Sequence, residues 1–199
     1  MSKPFILGLT GSIGMGKSAV AAMLRGLGVP LFDADAAVHQ LQGPGGACLE
    51  PIERAFPGTT GPTGIDRQKL GAAVFGNPDA LKILEQIVHP EVAELRRTFL
   101  ADNTGAPLIV FDIPLLYEKA GEHGLDAVVV VSAPPEMQRQ RVLARPGMTE
   151  EKFEQILALQ VPDADKRARA DYVIDTGVRL AETRNAVQRL IYAIINPQK

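Results

Sequence analysis

Five short segments of the chain are almost continuously apolar, without the polar/apolar alternation that a half-exposed strand shows. Runs of this kind are typical of strands buried on both faces, as in parallel sheets. Helical patterns separate the segments, which favours an α/β fold with crossover helices. Because such sheets bind ligands at the carboxyl ends of their strands, we expect functional residues just after each strand. The segments are Phe5–Leu9, Pro30–Phe32, Leu108–Phe111, Ala127–Val131 and Tyr172–Ile174.

The interval 34–105 is too long for a simple crossover between two strands and therefore predicts a subdomain. Its Gly- and Pro-rich part, Gly43–Gly64, is expected to be a loop. Asp66 is expected to cap the helix that follows this loop. A longer helical pattern covers Pro78–Leu100, and Pro90 should break or kink it, because a proline inside a helix loses a backbone hydrogen bond and clashes with the preceding turn.

Residues Gly11–Ser18 match the pattern G-x-x-x-x-G-K-[ST] and lie between an apolar segment and a predicted helix over Ser18–Leu27. In this pattern the glycines let backbone N–H groups approach phosphate oxygens, and the following helix adds the positive end of its dipole. Lys17 is predicted to contact the β- and γ-phosphates, and the Ser18 hydroxyl to bind Mg²⁺. A chance glycine-rich turn is the alternative, but the complete pattern in this context favours a nucleoside triphosphate site.

Composition narrows the possible partners. With 199 residues, the chain is long enough for one large domain or one core with inserted subdomains. A net charge of −2 offers no bulk attraction for nucleic acid or for an anionic membrane. The single cysteine, Cys48, excludes an intramolecular disulfide and favours a reducing cytoplasm. There is no leader-like N-terminus, and no apolar stretch reaches the roughly 18 residues that span a bilayer, so we expect a soluble protein.

Two acidic residues, Asp33 and Asp35, follow the second predicted strand. A carboxylate at this position could accept the proton of a hydroxyl that attacks a phosphoryl group. It could equally cap the following helix, because aspartate is among the preferred N-cap residues. We assign the catalytic role to Asp33, and capping or positioning to Asp35.

Further polar residues lie near other strand ends. Asp112 is predicted either to serve Mg²⁺ or its water, or to be a turn residue before Pro114. Glu118 is either a substrate contact or an exposed helix residue. His89 stands at the expected break beside Pro90 and is expected to face either the core or a cleft.

The interval 134–170 also has a helical pattern. Arg141 and Arg145 are four residues apart, so they are expected on one helix face. Arginines on a mobile helical segment could close over a triphosphate and stabilise the transferring charge. A solvated basic surface is the alternative.

Several separated segments together resemble the dephospho-coenzyme A kinase family, and the resemblance covers nearly the whole chain. The phosphate loop occurs in many proteins, whereas the order Asp-Ala-Asp, His-Pro and Pro-Leu-Leu is much more specific. The matching residues are Leu9–Ser18, Asp33–Asp35, Asp66 and Arg67 with Leu70 and Val74–Phe75, His89–Pro90, Pro114–Glu118, Gln138 with Arg141 and Arg145, Gln160, and Ala170–Asp175.

The resemblance implies ATP-dependent phosphorylation of the ribose 3′-hydroxyl of dephospho-CoA, the last step of CoA synthesis. It implies a P-loop nucleoside-triphosphate-binding fold of the α/β class, with a five-stranded parallel sheet, a helical substrate-binding insertion and a helical lid. The nucleotide core would comprise 1–33, 106–133 and 171–199, the CoA-binding domain 34–105 and the lid 134–170. The expected cofactors are ATP and Mg²⁺. The expected state is a monomer or weak homo-oligomer, with no nucleic acid or membrane partner.

Residue roles follow by matching positions. The predicted catalytic residues are Asp33, Lys17 and Arg141, and the predicted metal ligand is Ser18. The predicted cofactor-binding residues are Gly11, Ser12, Ile13, Gly14, Met15, Gly16, Lys17, Ser18, Ala19 and Arg145. The predicted substrate-binding residues are Asp35, His89, Leu115, Leu116 and Glu118. The chain departs from the family pattern at Ala19, where a hydroxyl residue is usual, and at Tyr117, where phenylalanine is frequent. Thr176 stands where asparagine is frequent and lacks the paired donor and acceptor of an amide.

Two other functions fit parts of this pattern. Another small-molecule or nucleoside monophosphate kinase could share the fold and the phosphate loop, because neither of these features selects the acceptor. A nucleotide-hydrolysing switch protein is a rival of a different class. Against it, the chain has no [NT]-K-x-D pattern, and Asp112–Leu115 lacks the glycine of a D-x-x-G switch.

Overall fold

The structure, a computed structural model, describes residues 3–118 and 124–197. This part of the chain divides into two compact units. The first contains the residues up to Phe32 and those from Asn103 onward, and the second is Asp33–Asp102. Within the described ranges, no helix is both long and apolar enough to cross a bilayer.

Strands and helices alternate singly at the start of the chain, and most of the later elements occur as consecutive strands or consecutive helices. The strands are β1 (Phe5–Thr10), β2 (Leu31–Asp33), β3 (Thr60–Gly61), β4 (Gly64–Ile65), β5 (Leu108–Asp112), β6 (Ala127–Ser132) and β7 (Tyr172–Asp175). The helices are α1 (Lys17–Gly26), α2 (Ala34–Gln42), α3 (Leu49–Ala55), α4 (Arg67–Val74), α5 (Pro78–Asp102), α6 (Pro135–Leu143), α7 (Glu150–Ala158), α8 (Asp163–Arg169) and α9 (Leu180–Ile195).

The main sheet has five strands in the order β2-β5-β1-β6-β7. The central strand β1 pairs in parallel with both β5 and β6, and β6 pairs in parallel with β7. The predicted α/β fold with a five-stranded parallel sheet is confirmed. Each strand ends one residue later than its apolar run, at Thr10, Asp33, Asp112, Ser132 and Asp175. The hydrogen-bonded ladder therefore continues into the polar edge, which apolar patterning alone does not mark.

Both faces of the sheet are covered, as the continuous apolar runs predicted. Alternate residues of a strand point to opposite faces, and on β6 Val129 and Val131 pack in a cluster with residues of α1 and α9. The intervening Val128 and Val130 pack instead with Leu116. Strand β1 is thus held between buried neighbours, and the loop that follows it has a rigid base.

The second unit corrects one prediction. The stretch Gly43–Gly64 is not all loop, because it contains α3 and part of the antiparallel pair of β3 and β4. Ile52 of α3 is fully buried, and Phe56 follows it on the same helical spacing in the same cluster. The flanking glycines and prolines masked this short apolar repeat. The cap at Asp66 is confirmed, since its carboxylate accepts hydrogen bonds from the N–H groups of Gln68 and Lys69.

The sequence predicts a break or a kink at Pro90. A break is wrong, because α5 runs as one helix from Pro78 to Asp102 with Pro90 inside it. Both His89 and Pro90 are exposed. On an exposed face, water can solvate the carbonyl that a proline leaves without its donor. This lowers the cost of keeping Pro90 inside a continuous helix. His89 therefore does not face the core.

Glu53 holds the turn after α3 through several hydrogen bonds. Its carboxylate accepts hydrogen bonds from the N–H of Gly58, and from the hydroxyl and N–H of Thr60. The hydrogen bond from Gly58, followed by that from the Thr60 hydroxyl, lowers the pKa of Glu53. A lowered pKa contributes stability above the ordinary glutamate pKa, and this contribution is lost as the pH falls through the folded-state value.

Replacing Glu53 with glutamine should therefore lower the melting temperature near pH 7, and the difference from wild type should shrink below about pH 4, near the ordinary glutamate pKa. Thermal unfolding followed by circular dichroism between pH 3 and 8 measures this. Glu50→Gln is the matched control, because Glu50 forms only an exposed pair with Arg54 in the same helix. Equal pH profiles for the two variants would contradict the role assigned to Glu53.

Candidate active site

The loop between β1 and α1 is shaped for an anion. Gly14 and Gly16 adopt left-handed backbone conformations, with φ of 77° and 88°, and Gly16 is the N-cap of α1. A Cβ on Gly16 would lie 2.8 Å from the Thr176 hydroxyl, and one on Gly14 would lie 2.5 Å from a methyl group of Val142. Glycine is therefore required twice, by conformation and by space. The first N–H groups of α1 lack intrahelical acceptors, so the loop presents donors at the positive end of the helix dipole.

Two hydroxyls belong to this loop. The Ser12 hydroxyl is buried and has no hydrogen-bond partner within the described part of the chain. An orphaned buried donor of this kind fits a site that receives an anionic ligand. Ser18, in the first turn of α1, is exposed and so is its neighbour Ala19.

Lys17 forms an ion pair with Asp112. Its Nζ lies 2.5 Å from Oδ1 of Asp112, which is 4% exposed and is the last residue of β5. Since β1 and β5 are adjacent, the pair connects the start of α1 to the carboxyl end of the neighbouring strand. The alternative of a turn residue before Pro114 is wrong, because Asp112 lies within β5. The sequence marked Asp112 as a candidate but not as the partner of Lys17.

Thr176 connects three parts of the site. Its hydroxyl donates to the carbonyl of Met15 at 2.7 Å and accepts from Nη1 of Arg141 at 3.0 Å. Nη2 of Arg141 also donates to the Thr176 carbonyl, at 2.7 Å. Thr176 is 7% exposed. The sequence singled it out only as a departure from the family pattern, whereas the structure makes it the contact between the phosphate loop and Arg141.

We expect Thr176→Val to lower stability by about 1–3 kcal/mol, because the similar shape is kept while the Met15 carbonyl loses a buried donor. It should also lower kcat/KM, since Arg141 keeps only its bond to the backbone carbonyl. Urea unfolding and steady-state kinetics measure the two effects. Thr176→Ser retains the hydroxyl and is the control; if it behaves like the valine variant, the hydrogen bonds are not the cause.

The two arginines do not share a helix face. Arg141 lies in α6, but α6 ends at Leu143, and Arg145 lies beyond the helix and is exposed. The N–H of Arg145 donates to the carbonyl of Val142, three residues back, in a tightened last turn. Gly147 follows with a φ of 74°, so the chain turns away where the four-residue spacing assumed a continuous helix.

The two acids after β2 have different surroundings. Asp33 is the last residue of β2 and also the N-cap of α2, where its Oδ1 accepts from the N–H of Ala36 at 3.0 Å. Asp35 is exposed in the first turn of α2. The capping role assigned to Asp35 is therefore wrong and belongs to Asp33. The catalytic role of Asp33 remains a prediction that this cap neither requires nor excludes.

Leu115, Leu116 and Glu118 were predicted to contact substrate. The structure leaves Leu115 partly exposed, but Leu116 is fully buried in the sheet's packing. Glu118 lies in a turn and is largely buried, so the alternative of an exposed helix residue is wrong. Its Oε1 lies 2.7 Å from Nζ of Lys166 and accepts from the N–H of Val161 at 3.0 Å.

The pair of Glu118 and Lys166 is a feature that the sequence did not reveal. Burial raises the pKa of Glu118, but hydrogen bonds from Lys166 and from backbone N–H groups outweigh this and hold the pKa below its ordinary value. Lys166 is fully buried although it lies among the charged residues of α8. A lysine in such a stretch is normally solvated, so no sequence signal indicated its position. The buried ion pair links α8 to the segment that follows β5.

The described residues contain no cluster of three or more His, Cys, Asp or Glu side chains that could hold a metal ion.

Comparison with known proteins gives a consistent result over the whole chain. A family model described as dephospho-CoA kinase matches residues 5–182. A dephospho-CoA kinase of Novosphingobium aromaticivorans is 70% identical over 194 residues, which cover 98% of this chain and 96% of that protein.

Two solved structures resemble the chain along almost its full length. The crystal structure of TT1252 from Thermus thermophilus has a TM-score of 0.86 and 37% identity, and the match covers 96% of this chain and 98% of that one. A dephospho-CoA kinase from Campylobacter jejuni has a TM-score of 0.65 and 25% identity, with coverage of 97% and 98%.

Proposed function

The chain belongs to the dephospho-CoA kinase family, and its activity is therefore phosphorylation of dephospho-CoA in coenzyme A synthesis; we propose that the phosphoryl group passes from ATP to the ribose 3′-hydroxyl, giving CoA and ADP. The phosphate loop, whose glycines are required by space and whose Lys17 pairs with a buried acid, supports ATP as the donor. The cradle supplies the donors and the positive charge that phosphoryl transfer needs. The acceptor hydroxyl is proposed from membership of the family.

On the nucleotide side, the loop from Gly11 to Ser18 binds the triphosphate, and Lys17 neutralises charge on the β- and γ-phosphates. Ser18 is the residue that would hold Mg²⁺, which when bound neutralises phosphate charge. The exposed Ser18 hydroxyl fits this use. Arg141 and Arg145 stabilise the transferring group, and Thr176 restrains Arg141.

On the acceptor side, Asp33 accepts the proton of the 3′-hydroxyl as phosphoryl transfer proceeds. Asp35, His89 and Leu115 are the candidates for contact with the acceptor, because all three are exposed. Leu116 and Glu118 act as supports, since their side chains are committed to buried contacts. The unit Asp33–Asp102 is the acceptor-binding domain, and 134–170 is the lid. The protein acts in the cytoplasm as a monomer or weak homo-oligomer, without nucleic acid or membrane.

An assay with ATP, Mg²⁺ and the purified chain tests this proposal directly. Dephospho-CoA, AMP, adenosine and no acceptor are compared in parallel reactions. CoA formed only from dephospho-CoA supports the proposal. Phosphorylation of AMP or adenosine instead would move the chain to another kinase activity, and equal ATP hydrolysis without acceptor would favour the switch protein. Phosphate position in the product distinguishes the 3′-hydroxyl from other sites.

A further inference from the structure

Two glutamine side chains hold the backbone of a single residue of the phosphate loop, one on each of the two peptide groups that flank its Cα. Nε2 of Gln138 donates to the carbonyl of Ile13 at 2.8 Å, and Oε1 of Gln160 accepts from the N–H of Ile13 at 3.1 Å. Gln138 belongs to α6, and Gln160 lies between α7 and α8. The N–H and the carbonyl of Ile13 therefore both form hydrogen bonds with side chains of the segment 134–170.

The chemistry of the backbone fixes the orientation of both amides. An N–H can only donate and a carbonyl can only accept, so Gln160 must present its oxygen and Gln138 its NH₂ group. Gln138 is 6% exposed, and a Cβ on Gly14 would lie 2.9 Å from its carbonyl oxygen. The helix is thus too close for the loop to move relative to it without losing these contacts.

Ile13 lies directly before Gly14, whose left-handed conformation starts the turn of the loop toward α1. The orientation of the two peptide groups that flank Ile13 sets the direction in which the following N–H groups point. Donors aimed in advance at the phosphate oxygens need no reorganisation when the ligand binds. A loop without these restraints would lose conformational entropy when the ligand binds, which would weaken its affinity.

We propose that Gln138 and Gln160 are positioning residues that together pre-organise the phosphate loop for the triphosphate. The inference rests on the proposed function only in requiring that this loop binds nucleotide. A purely structural role would change stability but would not distinguish nucleotide affinity from acceptor affinity.

The test compares Gln138→Glu with Gln160→Glu in the full chain. Each change adds one negative charge beside the backbone of the same residue, Ile13. In Gln160→Glu an oxygen still accepts from the Ile13 N–H, whereas in Gln138→Glu a carboxylate replaces the donor to the Ile13 carbonyl. Gln140→Glu adds the same charge at an exposed position of α6 and is the control.

Calorimetric titration with Mg·ADP gives the affinity, and thermal unfolding gives the stability of each variant. We expect the Kd for Mg·ADP to rise about tenfold in Gln138→Glu, clearly less in Gln160→Glu, and not at all in Gln140→Glu. Hydrogen exchange of the peptide covering 11–18 should accelerate in Gln138→Glu while other peptides keep their rates. KM for ATP should rise while KM for dephospho-CoA stays close to wild type.

Equal losses of affinity in Gln138→Glu and Gln160→Glu would overturn the proposal, because charge alone would then explain them. Unchanged affinity in Gln138→Glu, or exchange that accelerates across the whole unit, would also overturn it. If the wild-type chain binds Mg·ADP and the variants show the expected order of affinities, but the wild-type chain does not phosphorylate dephospho-CoA, the proposed function fails. The positioning role of Gln138 and Gln160 is then still supported. If the wild-type chain does not bind Mg·ADP, both fail.

Discussion

Replacing Lys17 with alanine should lower kcat for CoA formation by a factor of about 10²–10³, the usual effect of removing one group aimed at developing transition-state charge. The ammonium group lies at the start of α1 and is anchored on the buried Asp112. In the proposed function its positive charge lies beside the phosphates before the reaction starts, so no reorganisation is needed when negative charge moves onto the leaving ADP.

The variant also removes an ammonium group from a buried carboxylate, which for buried pairs costs about 3–5 kcal/mol of stability. The double variant Lys17→Ala/Asp112→Asn separates the two effects, because the asparagine no longer needs a cation. It should regain most of the lost stability in urea unfolding without regaining turnover. Near-normal kcat in the folded double variant would refute the phosphate-loop assignment.

Replacing Asp33 with asparagine should lower kcat by about 10²–10⁴-fold, the range that general acid–base catalysis contributes. The substitution preserves the N-terminal cap of α2. Asp33 caps α2 through the N–H of Ala36, and asparagine is as good an N-cap as aspartate. The variant therefore loses the proton acceptor but keeps the cap, so no loss of stability is expected from the N-terminus of α2.

Steady-state kinetics with both substrates, together with urea unfolding, measures the effect of Asp33→Asn. Asp79→Asn is the matched control, since Asp79 is an exposed carboxylate in the first turn of α5 to which no role is assigned. A rise confined to KM for ATP in Asp33→Asn would contradict the role as base. Asp33→Ala should add a stability loss of about 1 kcal/mol through loss of the cap.

Prediction from sequence was accurate where the signal lies in contiguous residues. The five strands were located from their apolar runs, with each end displaced by one residue because the last residue of every strand is polar. Prediction from sequence failed where the packing or exposure of a residue in the fold overrode a rule based on residue type or spacing. The packing of Ile52 overrides the glycines around α3, and the exposed position of Pro90 lets α5 continue. Arg145 departs from the face of Arg141 because α6 ends first.

The sequence by itself determined the fold class, the phosphate loop and the family, because these depend on residue types at fixed short spacings. Only the tertiary structure decided which side chains support the loop. The bond from Lys17 to Asp112 joins residues 95 positions apart, that from Gln160 to Ile13 joins residues 147 apart, and that from Thr176 to Met15 joins residues 161 apart. A side chain's partners at such separations follow from strand order and helix packing, and no local pattern encodes them.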